Sequence, residues 1–204
     1  MIVAGRGERP STVSRSRKED ASISAPSAKA VFIDYHVLTE VHGDNVSDSG
    51  DTSLSSSQDA RALYRLADGG WRLVIFGGRP ISGLALDTGT ALLGRTVWDI
   101  ACAGGRVDRI YCCTDHPEEW CGGRMPCPGL LLWAVSELCL NLASSHLITD
   151  VVYGLTVAET MRCVAVFLWT SRGALQLPLL TRLGYTHVPI ACSLGEAVDF
   201  IMHD

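Results

Sequence analysis

A carboxylate with an imidazole two residues on, a glycine pair followed by an arginine, and a cluster of cysteines around one histidine are the groups in this chain best suited to chemistry. Asp34 closes the apolar run 30–33, and His36 follows it. A carboxylate there is either part of a site or a helix cap or turn residue. An imidazole beside it, with an unperturbed pKa of about 6.5, can pass a proton near neutral pH, and an ordinary packed histidine is the competing reading. Gly77, Gly78 and Arg79 follow a second apolar run. Two glycines can turn backbone N–H groups towards an anion and Arg79 would add charge, although a plain turn has the same composition. Cys112 or Cys113 with His116, Cys121 and Cys127 has the ligand types and loop spacing of a zinc site. The alternative is a set of reduced thiols in a loop held by its prolines and packing.

Strands are needed to bring such groups together. The run 30–33 is short, apolar and unbroken, the pattern of a strand buried on both faces of a parallel sheet. The pattern recurs at 72–76, 107–111, 148–153 and 164–169. Helices are expected between and after these runs, at 59–67, 84–102, 129–142, 157–163, 175–183 and 193–202. Ser193 with Glu196 three residues later forms a capping box for the last. Alternating strands and helices predict right-handed βαβ units and an α/β, Rossmann-like, doubly wound parallel sheet. Ligands in such sheets bind beyond the carboxyl ends of the strands, which directs attention to Asp34, Gly77, Gly78 and the surroundings of Gly154. The spacing between strands leaves room for loops and crossover helices but not for a large cap domain.

At 204 residues and 47% hydrophobic, the chain can bury one substantial core. Residues 1–29 are rich in Ser and Arg without apolar periodicity and are expected to be a disordered leader to a single domain over 30–204. The polar run 43–58 reads as a surface loop. A net charge of −5 argues against a nucleic-acid partner. Stretches such as 129–142 are too short and interrupted to span a membrane, and the opening residues lack a secretory core, so a cytoplasmic location is expected. The scattered Cys102, Cys139, Cys163 and Cys192 are expected to be buried thiols.

The segment Lys29-Ala-Val-Phe-Ile-Asp-Tyr-His36 resembles the opening motif of the haloacid dehalogenase superfamily, where Asp-x-Asp follows an apolar strand. The segment Ile110-Tyr-Cys-Cys-Thr-Asp-His-Pro-Glu-Glu-Trp-Cys-Gly-Gly-Arg-Met-Pro-Cys-Pro-Gly129 looks like the zinc-loop region of one branch. That branch holds the D-glycero-D-manno-heptose 1,7-bisphosphate phosphatases and the histidinol-phosphate phosphatases. Val151-Val-Tyr-Gly-Leu-Thr-Val-Ala-Glu159 stands where the family has Gly-Asp-x-x-x-Asp, and Ser193-Leu-Gly-Glu-Ala-Val198 resembles its closing helix. The resemblance runs from Lys29 to the C-terminus.

The resemblance implies a haloacid dehalogenase-like fold and magnesium-dependent hydrolysis through an aspartyl-phosphate, with Asp34 as nucleophile and metal ligand and His36 in the acid/base position. It puts Gly77, Gly78, Arg79 and Arg124 on the substrate and Glu159 on the magnesium. It implies zinc on Cys113 and Cys121, with Asp115 and Gly123 replacing the other two ligands. Several positions depart from the family: Val37-Leu38 replace Gly-Thr, Met125 replaces the catalytic lysine and Leu155 replaces a metal-binding aspartate. These losses imply weakened or lost magnesium binding and a pseudophosphatase that serves as a binding, regulatory or assembly module, with a sugar phosphate or a protein as partner. The alternative is an active phosphomonoesterase on a phosphorylated sugar, with a site rebuilt from Asp34, His36, Arg124 and Glu159.

Overall fold

Unbroken apolar runs make strands only where both faces are covered, and the computed structural model covers them. It describes residues 2–4, 28–40, 57–77, 94, 96–113 and 128–204. The strands are β1 (Ile2–Ala4), β2 (Ala30–Asp34), β3 (Arg72–Gly77), β4 (Arg109–Cys113), β5 (His146–Thr149), β6 (Val164–Leu168) and β7 (Ile190–Ala191). They form one seven-stranded sheet in the order β1-β4-β3-β2-β5-β6-β7, and every pairing is parallel. From β2 the chain runs outward through β3 and β4, then returns to β5 on the other side of β2. The crevice between β2 and β5 is therefore the switch point where such sheets bind ligands. Among the described residues no cap domain interrupts this sheet.

Alternate residues of β2 feed two cores. Val31 and Ile33 face α2 (Ser57–Asp68), α7 (Leu194–His203) and Ile100 of α3 (residues 96–102), whereas Ala30 and Phe32 face α4 (Gly129–Leu138) and α5 (Val152–Met161). All five side chains of β2 are buried, and full burial of one the size of Phe32 stabilises the fold by about 1.5–3 kcal/mol. A third cluster packs α6 (Ser171–Arg182) onto β6 and α5 through Leu180, Phe167, Val152 and Leu155. No helix among the described residues is long and apolar enough to cross a membrane.

The element order matches the sequence reading, but several boundaries move. The strand expected over 148–153 is β5 over His146–Thr149, and its last two expected residues, Val152 and Tyr153, instead enter α5, with Val151 as the N-cap. Val151 and Val152 favour strands locally, yet Val152 and Leu155 bury themselves against Phe167 only as a helix. Helix α4 ends at Leu138, where Cys139 turns left-handed with φ of 50°, and 142–144 form a separate 3-10 turn. Helix α6 begins at Ser171, four residues before its expected start at 175, because Thr170 caps it.

Residues 2–4 were expected within a disordered leader, but Ile-Val-Ala pairs with β4 at the sheet edge. Ala28 bridges Leu140, and Lys29 lies 4.1 Å over the Trp71 ring, so ordered chain begins before residue 30. The loop expected over 43–58 lies outside the described residues up to 56, and residues 57 and 58 belong to α2. The capping box holds with one change of partner. Ser193 Oγ accepts from the Glu196 N–H at 3.1 Å, while Glu196 accepts from Cys192 N–H rather than from that of Ser193. Only Cys163 among the scattered cysteines is buried, with its thiol pushed up to about 11 by burial. Cys102, Cys139 and Cys192 are exposed, a correction to the expectation of buried thiols.

Candidate active site at the carboxyl ends of the strands

Asp34 is the last residue of the central strand, and α1 (Tyr35–Glu40) starts at the next residue. The residue is 3% exposed, and its Oδ1 accepts the His36 backbone N–H at 3.0 Å. The turn-residue role is thus realised together with a place in the site. Burial raises the Asp34 carboxyl above its ordinary value of 3.8, and the nearby Asp150 adds to the rise. The His36 charge, its N–H bond and the Arg172 guanidinium pull the other way. His36 therefore does stand beside Asp34. Val37 and Leu38, which follow, are fully buried in the core rather than shaping an open pocket.

Asp150 lies just beyond β5, one residue past the position level with Asp34 on the neighbouring strand, and is fully buried. Its Oδ2 accepts from Thr170 Oγ1 at 2.7 Å and from Arg172 Nε at 3.0 Å, and its Oδ1 accepts from Arg172 Nη2. The same Nη2 lies 3.9 Å from Asp34 Oδ2, so one guanidinium serves both carboxylates. The local sequence after β6 makes this possible. Thr170 Oγ1 caps α6 by accepting from Gly173 N–H at 2.9 Å, while its own hydroxyl hydrogen goes to Asp150. A Cβ at residue 173 would sit 2.5 Å from the Leu168 carbonyl oxygen, so only glycine lets the helix start this close to the strand and hold Arg172 inward.

The other expected residues divide clearly. Gly77 ends β3 next to the site, paired with Cys112 of β4, and a side chain there would come within 3.0 Å of Tyr35 Cβ. It serves close packing of the turn after β2. Gly154 lies inside α5 rather than in a binding loop. Glu159 does not join the site: it accepts from Tyr185 Oη at 3.0 Å, away from Asp34. Leu155 is likewise in the α5–α6 core, so the metal-ligand register placed on 155 and 159 is wrong, and Asp150 is the acid that meets Asp34. Gly78, Arg79, His116, Cys121, Arg124, Met125 and Cys127 lie outside the described residues, as does the side chain of Cys113.

Asp150 and Arg172 are the residues that reading the sequence missed. Ile148-Thr149-Asp150 repeats the apolar-to-Asp ending of Phe32-Ile33-Asp34, and this repeat was the available signal. Among the described residues, no group of three His, Cys, Asp or Glu gathers to hold a metal. Magnesium demands a near-octahedral oxygen shell at about 2.0–2.1 Å. Here both Asp150 oxygens already accept from Arg172, and the guanidinium supplies the positive charge beside the two carboxylates. The site in this arrangement does not fit magnesium.

A buried aspartate at the switch point of this parallel sheet, with a second aspartate just beyond the adjacent strand, belongs to a fold that the chain shares with solved haloacid dehalogenase-like phosphatases. Two curated relatives share a name, D-glycero-beta-D-manno-heptose-1,7-bisphosphate 7-phosphatase. The Bordetella bronchiseptica protein is 26% identical over 150 residues, covering 71% of this chain and 83% of the relative. The Yersinia pestis protein is 38% identical over 60 residues, covering 26% of this chain, and the match spans only 32% of the relative. The solved structure of D,D-heptose 1,7-bisphosphate phosphatase from B. bronchiseptica, complexed with magnesium and phosphate, superposes with a TM-score of 0.67 at 22% identity, covering 86% of this chain and 98% of that one. No family model matches the chain.

Proposed function

We propose that this chain is a sugar-phosphate phosphatase homologue that has lost metal-dependent catalysis and keeps its fold as a binding, regulatory or assembly module, acting in the cytoplasm. The observation that carries the reading is the Arg172 guanidinium, bonded to both oxygens of Asp150 and 3.9 Å from Asp34. Burial raises the Asp34 carboxyl, which favours its protonated, non-nucleophilic form. Met125 in place of the lysine implied by the resemblance, and the buried Val37 and Leu38, agree with this. Calorimetric titration with phosphorylated sugars, with and without magnesium, tests it. Weak binding that magnesium does not strengthen is expected, and tight magnesium-dependent binding lost in D34N contradicts the reading.

A second reading is favoured by one observation, the placement of His36 beside a retained Asp34. In an active phosphomonoesterase, Asp34 would form a bond to phosphorus as the ester bond to the sugar oxygen breaks, with His36 giving its proton to that oxygen. Water would then cleave the aspartyl-phosphate, returning its proton to His36 and releasing phosphate. This reading predicts turnover that D34N and H36A both remove.

A further inference from the structure

We propose that Arg172 is a built-in cation that takes the place of a divalent metal beside Asp34 and Asp150, so that the chain excludes such metals as long as this arginine is present. The inference rests on the loss-of-catalysis reading and supplies its physical cause. Arg172 is held from three sides. Its Nε and Nη2 bond separate oxygens of Asp150, Nη2 lies near Asp34, and Thr170 with Gly173 fixes the start of α6 from which the side chain projects. A planar guanidinium matches one carboxylate in fork geometry and carries a permanent charge. It is tethered only two residues beyond the cap of its own helix, so its local concentration far exceeds that of any free ion. A metal entering the site must displace this cation and also shed water, which magnesium does reluctantly. The charge also reaches the site from the β6 end, whereas the position at which the resemblance implies a lysine holds Met125.

The test is a titration of the full chain with Mn²⁺, read by loss of the free-ion electron paramagnetic resonance signal. It uses wild type, R172Q, R172K and the double variant R172Q/D150N. The wild type and R172K are expected to leave free Mn²⁺ unchanged, because each keeps a cation at the site. R172Q is expected to bind it at least roughly a hundredfold more tightly, since a repelling unit charge about 4 Å away has been removed. Adding D150N should abolish the gain. The proposal is overturned if the wild type binds Mn²⁺ as tightly as R172Q, if R172Q gains no binding, or if the gain survives D150N. Should R172Q be poorly folded, its melting temperature against Mg²⁺ gives the same answer. A magnesium-dependent rise in R172Q that is missing in wild type supports the proposal, and no rise contradicts it. Turnover measured on the same wild-type protein in a chelator separates the two claims. Turnover without metal overturns the loss of catalysis while leaving metal exclusion intact, and metal bound by wild type without turnover does the reverse.

Discussion

The two ends of the sheet bury polar groups in opposite ways. At the carboxyl end, Asp34, Asp150, Thr170 and Arg172 form one network in which a single guanidinium answers two buried carboxylates. At the amino end the charged groups reach the surface, and Asp108 is shared by Arg72 and Arg106, whose side chains are 45% and 54% exposed. Ser145 Oγ accepts the Ala30 N–H at 3.0 Å, Arg65 meets Asp199 at the surface, and His146 Nε2 lies 3.1 Å from Asp204, which is 59% exposed. The amino end also has a pocket of about 480 Å³, lined by His146, Val164 and Phe200, whose His146–Asp204 pair is not joined to a second buried charge among the described residues. The size of an opening is thus a poorer guide to chemistry here than the sharing of one charge by two buried partners.

Breaking the carboxyl-end network should have the largest effect. D150A leaves Arg172 without its main partner and is expected to lower stability by about 3–5 kcal/mol, read from chemical denaturation. S145A removes two bonds at the amino end, one accepted from the Ala30 N–H and one donated to the Asn141 carbonyl oxygen, and orphans the Ala30 N–H, for about 1–3 kcal/mol by the same measurement. R65A removes an ion pair whose side chains are 46% and 55% exposed, and a loss of less than about 0.5 kcal/mol is expected.

Acidification sharpens the contrast through its sign. Burial holds the His146 imidazole below its ordinary 6.5, with Asp204 partly opposing, so the unfolded chain takes up the proton first and this end loses stability as pH falls below about 6.5. Burial raises Asp34 above 3.8, so the folded chain takes up that proton first and its contribution improves as pH falls through the raised value towards 3.8. Melting temperature against pH should therefore fall less steeply on the acid side in H146F than in wild type, and the gain on acidification should shrink in D34N.

The parts of the fold visible in the sequence were those fixed by continuous burial. Ala30–Asp34 and Arg72–Gly77 have no polar residue at an interior position, and a strand covered on both faces is what such a run can be. Asp34 was legible because it ends such a run. Asp150 was not, because Thr149-Asp150 is followed by Val151-Val152, and apolar residues on both sides made the acid look internal to one strand. What decides otherwise is the packing of Val152 and Leu155 on Phe167, a contact between elements that local pattern does not carry. Arg172 was hidden for the same reason. In the sequence it falls between the run 164–169 and the helix expected from 175, and only the parallel pairing of β2, β5 and β6 brings it to two acids far away in sequence.

The central claim is that this constellation no longer performs the hydrolysis for which its relatives are named. The direct measurement is phosphate release by the purified, folded chain from a panel of phosphorylated sugars that includes heptose 1,7-bisphosphate, with and without magnesium, beside D34N. The account predicts release by the wild type no greater than by D34N in either condition. Release that requires magnesium and disappears in D34N would contradict it.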